Sequence, residues 1–105
     1  MQVGFETPSV GALCNSWQKL ARALGHETAE KVKDLLFFLD TAPTLADLGQ
    51  SPPVLRNQHT QQHPPFFTVG RKGRGQVLFQ PLSYKKEQGL HEVDSINIIS
   101  VGGSV

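Results

Sequence analysis

The side chains with the widest chemical reach in this chain lie in one stretch. Residues 51–91 hold His59, His63 and His91 together with Arg56, Arg71, Lys72, Arg74, Lys85 and Lys86, against Glu87 as the only acid. Imidazoles titrate near neutrality and can move protons. Guanidinium and ammonium groups can offset phosphate charge. The stretch carries a net charge of +5, and residues 1–50 and 92–105 carry −2 each, so the formal total of +1 conceals a cationic segment. Such a segment suits a polyanion.

Two spacings within it invite narrower chemistry. His59 and His63 stand four apart, which on a helix places two imidazoles on one metal. Here no acid accompanies them, no third ligand follows at a known spacing, and Pro64-Pro65 comes next. They read as loop histidines, and no metal or other cofactor is expected. The run Gly70-Arg71-Lys72-Gly73-Arg74-Gly75 has the glycines of a phosphate-cradling loop. It lacks the Lys-Ser/Thr that opens a helix, and a strand-like run follows it, which disfavours nucleotide binding. Two readings of the run remain: a solvated hairpin tip, or a tip whose Arg71, Lys72 and Arg74 touch nucleic-acid phosphates. Ser/His/Asp catalysis is available by composition but carries no motif.

The elements that must position these groups are legible from periodicity. Residues 2–6 suggest a short strand with Val3 and Phe5 on one face. Thr7 caps and Pro8 opens a helix in which Val10, Leu13, Cys14, Trp17, Leu20, Ala21 and Leu24 form one apolar stripe ending at Gly25. On that stripe Trp17 is expected in the core. A second helix over residues 27–40 has Ala29, Val32, Leu35, Leu36 and Leu39 on its stripe, and only Gly25-His26 connects it to the first, so a helical hairpin is expected. Phe37 and Phe38 fall off the stripe. If a sheet covers only the leucines, one of them faces outward and becomes a partner contact. Thr44 to Asp47 reads as one capped turn.

Beyond residue 50 the chain reads as loop, with a short strand near residues 54–57, until the period changes to two. Residues 66–69 and 76–80 predict a hairpin around the basic tip, and residues 95–101, apolar on both faces, predict a well-buried strand. The expected architecture is α+β, a β-α-α-β-β-β order with the helical hairpin on a mostly antiparallel sheet, all in one domain over residues 1–105. Cys14 is the only cysteine, so an intrachain disulfide and a cysteine-based zinc cluster are both excluded. The longest apolar run, residues 35–39, is far short of the roughly 20 residues that span a bilayer. The first residues carry no basic and apolar leader, so a cytoplasmic protein without a membrane partner is expected.

On these residues the chain resembles the RelE/ParE superfamily of bacterial toxins, in its HigB-like plasmid-maintenance killer branch. The likeness rests on Leu13-Cys14-Asn15, residues 20–25, Ala29-Glu30-Lys31-Val32-Lys33 and Ala42-Pro43-Thr44-Leu45-Ala46-Asp47-Leu48. Phe67-Thr68-Val69 and Val77-Leu78-Phe79-Gln80-Pro81 continue it, so that it runs over residues 3–101. It lies in order and spacing, not in one sharp catalytic motif.

The resemblance implies a toxin of a type II toxin–antitoxin system, a metal-independent endoribonuclease (an mRNA interferase) that cuts mRNA on the ribosome and so inhibits translation. The implied partners are a cognate antitoxin, often of the helix-turn-helix type, the ribosome and mRNA. Attack of a ribose 2′-OH on the adjacent phosphate requires a base, an acid and cations. Candidate catalytic groups are Arg71, Arg74, His59 and His91. Arg56, His63, Lys72, Tyr84, Lys85 and Lys86 are candidate RNA contacts, and Phe37 and Phe38 are candidate partner contacts. The sequence departs from the family pattern twice. Gln76 stands where the strand usually begins with arginine, and Ser100-Val101-Gly102-Gly103 replaces an Asp-Tyr-His-like end. Those departures keep an alternative open: a catalytically inactive RelE-fold module retaining antitoxin binding or DNA autoregulation. A ParE-like topoisomerase inhibitor is a third reading.

Overall fold

The computed structural model describes residues 1–50, 54–59, 65–71, 73–82 and 89–102. The chain enters through strand β1 (Gln2–Phe5) and passes through helices α1 (Pro8–Cys14), α2 (Trp17–Leu24) and α3 (His26–Thr41). It then forms strands β2 (Asn57–His59), β3 (Phe66–Arg71), β4 (Gly75–Pro81) and β5 (Ser95–Gly102). The sheet order is β1-β5-β4-β3-β2; β1 runs parallel to β5 and every other pairing is antiparallel. The α+β, mostly antiparallel expectation therefore holds, with a third helix added.

The third helix arises from a break in the expected first one. Asn15 leaves helical geometry and Ser16 takes an extended one, and the Ser16 hydroxyl accepts a hydrogen bond from the Lys19 N–H at 3.3 Å. A side-chain cap at Ser16 satisfies a backbone donor that the continuous helix would have used internally, so a new helix starts there. The break rotates Trp17 off the stripe. It is 39% exposed, not in the core, with the Lys33 ammonium 5.2 Å above its ring and His26 edge-on at 5.4 Å. Gly25 alone links α2 to α3, at φ +82°.

The core lies between α3 and one face of the sheet. Ala29, Val32, Leu35 and Leu39 are its helical contribution. Phe67, Val69, Val77, Phe79, Ile96 and Ile98 are the sheet's. Cross-strand register explains the choice: Phe67 pairs with Phe79 and Val69 with Val77, so all four point to the same side. The two phenylalanine rings stack 5.8 Å apart at 14°. The strand β5 corrects a second expectation. Its apolar run is not buried on both faces; the register shifts against Leu78/Phe79, so Ile98 pairs with Phe79 while Ser100 pairs with Leu78. Ile99 is the extra residue of that bulge, which returns Val101 to the core side opposite Val77. The short strand expected near residues 54–57 forms instead at Asn57–His59, against Phe66–Thr68 of β3.

The expected turn after Pro43 is a 3₁₀ turn, Leu45–Asp47. Asp47 closes it by accepting from the Thr44 N–H at 3.0 Å and from the Thr44 hydroxyl at 2.7 Å. A further 3₁₀ turn, Leu90–Glu92, packs against it. No helix among the described residues is long and apolar enough to cross a membrane.

Candidate functional site

The β3–β4 hairpin divides the candidate residues between two concavities. The tip leans on α3 because its glycines leave no side chain in the way. A Cβ at Gly75 would lie 2.8 Å from Lys31 Cβ, and one at Gly70 would lie 2.7 Å from Leu35 Cδ1. Both glycines have positive φ, +125° and +95°, so the tip has a backbone course that few other residues accept. The glycines of the basic run thus serve backbone-to-helix contact.

Between the tip and α3 lies a groove of about 460 Å³. Leu35, Phe38 and Leu55 give it apolar walls, Phe37 stands at its side 65% exposed, and Lys31, Asp34, Arg71 and Arg74 carry its charge. The sequence assigns Arg71 and Arg74 to phosphate charge and Phe37 and Phe38 to a partner. The fold brings all four to the same groove. Leu55 had given no signal. It is the one non-glycine residue among those described with positive φ, at +52°, a conformation that costs a leucine about 1–2 kcal/mol. Its neighbours hold it there: Val54 C=O accepts from Gly70 N–H at 2.7 Å, and Arg56 N–H donates to Gly49 C=O at 2.9 Å.

On the other side of the sheet, away from α3, is a second depression of about 370 Å³. His59, Phe66, Thr68, Gln76, Leu78 and Ser100 line it, with Gly102 at its end. His59 Nε2 lies 3.4 Å from the Thr68 hydroxyl oxygen, which orients the exposed imidazole over the sheet. Thr68 stands between the core residues Phe67 and Val69, whereas Ser100 follows the bulged Ile99, so alternation alone marks only the first. Gln76 and Gly102 are register partners across β4 and β5 at the edge of this depression. Among its described lining residues the depression holds an imidazole, an amide and two hydroxyls, and no Arg or Lys.

The remaining candidates lie apart from these. Arg56 is half-buried, and its guanidinium donates to the Leu45 carbonyl at 3.3 Å. Burial lowers its pKa from the ordinary arginine value, and the side chain ties the loop to the 3₁₀ turn. His91 is exposed on the Leu90–Glu92 turn and lines neither concavity. His63, Lys72, Tyr84, Lys85 and Lys86 lie outside the described residues. Among the described residues no group of three His, Cys, Asp or Glu side chains is placed to hold a metal ion. Cys14, the lone thiol, is half-buried, and burial pushes its pKa up.

No protein-family model, curated protein or solved structure matches the chain. The fold and its surfaces define an α+β domain with a basic hairpin tip between an apolar, cation-edged groove and a polar depression on the open sheet face.

Proposed function

We propose that this chain is a toxin of the RelE/ParE kind, HigB-like, that acts on ribosome-bound mRNA and is neutralised by a cognate antitoxin. One observation carries the reading. One departure from that family's pattern, Gln76, pairs across β4 and β5 with Gly102, a member of the other, the Ser100-Val101-Gly102-Gly103 run. They line one depression with His59, Thr68 and Ser100. The strand start and the chain end that differ from the family pattern thus border one depression, which is where this reading puts the chemistry. In this reading His59 transfers the proton of the attacking 2′-OH. The tip cations Arg71 and Arg74 hold the RNA through its phosphates.

The test is induced expression in a bacterial host. Growth should arrest, and the double variant Arg71→Ala/Arg74→Ala should relieve the arrest while leaving the fold intact, because both side chains are exposed. Toxicity that persists in the double variant would move RNA engagement away from the hairpin tip.

A second reading has its own support: a RelE-fold module that binds its antitoxin but does not cut. The described lining of the open-face depression offers no cation for the charge that builds on phosphorus. In that case expression leaves growth unaffected, and the purified chain leaves mRNA intact in a translating extract.

A further inference from the structure

The groove between α3 and the hairpin tip has a construction that RNA contact alone leaves unexplained. A surface for phosphates needs cations, yet Leu35 and Leu55 form its walls and Phe37 stands 65% exposed beside it. A phenylalanine so exposed on an otherwise well-patterned helix, adjoining further apolar surface, marks a site of contact. Leu55 reaches that wall from a strained backbone conformation, a feature that accumulates at binding sites. Around the apolar walls stand Lys31, Arg71 and Arg74 against Asp34 alone, a local excess of +2.

We propose that this groove docks a segment of a partner protein in which one or two bulky apolar side chains are flanked by carboxylates. The apolar side chains would seat against Phe37, Leu35 and Leu55, and the carboxylates would face Lys31, Arg71 and Arg74. This is the helix-in-groove mode, in which anchors on one side of a peptide supply affinity and rim charges supply specificity. Leucine walls favour an aliphatic or aromatic side chain over stacked bases, which bind on exposed aromatic faces. The Asp34 carboxylate opposes a continuous phosphate backbone, whereas a peptide can meet it with an N–H. The assignment deepens the partner part of the proposed function and rests on it for the partner's role. Its test reads binding and not RNA cleavage, so the two can fail separately.

The experiment is a fluorescence-anisotropy titration of the full chain with four labelled probes. One is a short amphipathic peptide of glutamates with leucine and phenylalanine on one face. The second replaces its glutamates by lysine, the third replaces its apolar residues by alanine, and the fourth is an oligouridylate RNA of similar length. The first peptide should bind saturably, the second and third should bind at least about tenfold more weakly, and Phe37→Ser and Arg74→Glu should each weaken the first about tenfold. Both substituted side chains are exposed, so circular dichroism should be unchanged. Failure of the first peptide to bind, equal binding of its lysine counterpart, or indifference to Phe37→Ser would overturn the proposal. Two further results would also overturn it by naming another occupant: RNA binding that depends on Phe37, or a dimer of the chain alone that Phe37→Ser dissolves.

Discussion

Replacing Gly70 by alanine should destabilise this domain more than any other single-methyl addition at its described glycines. The added Cβ would lie 2.2 Å from the Gly75 carbonyl oxygen, 2.7 Å from Leu35 Cδ1 and 3.2 Å from Gln76 Cα. Leu35 can swing aside, but the carbonyl belongs to the paired strand and cannot move without opening the hairpin. The positive φ adds strain of about 1–3 kcal/mol, and overpacking adds about 1–3 kcal/mol. Together they cost about 2–6 kcal/mol, a large part of the roughly 5–15 kcal/mol by which a domain of this size is stable. Gly25 separates the two contributions. Its φ is +82° and ψ 156°, yet nothing lies within 4 Å of an added Cβ, so Gly25→Ala carries the strain alone. In urea denaturation followed by circular dichroism, with a slope of about 2 kcal/mol per molar, Gly70→Ala should lower the midpoint by about 1–3 M. Gly25→Ala should lower it by about 0.5–1.5 M on the same slope. If Gly70→Ala shifts the midpoint no more than Gly25→Ala, the close approach of Gly70 to the Gly75 carbonyl is wrong, and with it the hairpin geometry that borders the groove.

Further substitutions test other parts of the structure. Trp17→Ala should cost about 1 kcal/mol or less in thermal melts, the worth of an exposed cation–π contact. Leu20→Ala, three residues on and 2% exposed, should cost about 2–5 kcal/mol; equal losses would restore the continuous helix. Asp47→Ala removes both hydrogen bonds to Thr44 and should destabilise by about 1 kcal/mol, and an unchanged melting temperature would count against the capped turn. Burial raises the Cys14 pKa, so its alkylation by iodoacetamide should reach half-maximal rate at a higher pH than free cysteine does. Because the folded chain then keeps this proton after the unfolded chain has lost it, the Cys14 contribution to stability falls as pH rises past the ordinary thiol value of about 8.5. An alkylation profile that superimposes on that of free cysteine would refute the burial.

The sequence disclosed elements well wherever local chemistry and tertiary packing agreed. Thr7 before Pro8, Gly25 after Leu24 and the alternation around Val77 and Phe79 each mark a boundary or a face that the fold keeps. It misled where two local signals competed. The 3.6-residue stripe runs unbroken through Asn15-Ser16, while Ser16 is also a good N-cap, and the cap won because it satisfies Lys19 N–H directly. The run Ile96 to Val101 concealed a bulge, since one extra residue restores alternation without altering composition. At the candidate site, charge located Arg71 and Arg74, and stripe geometry marked Phe37 and Phe38 without telling which faces outward. That these share a groove depends on Gly70 and Gly75 admitting the helix, a contact between segments some forty residues apart. The open-face depression is built from β2, β3, β4 and β5, so its membership follows from strand order and register, which no local pattern encodes.

The proposed activity is cleavage of mRNA as ribosomes translate it. Its most direct test adds the purified chain to a translating extract and maps a reporter mRNA by primer extension. New 5′ ends within the reading frame are expected, formed only while ribosomes translate and lost with His59→Ala. A reporter that stays intact across the titration, in an extract where a known mRNA-cutting toxin works, would contradict it and leave a module that binds without cutting.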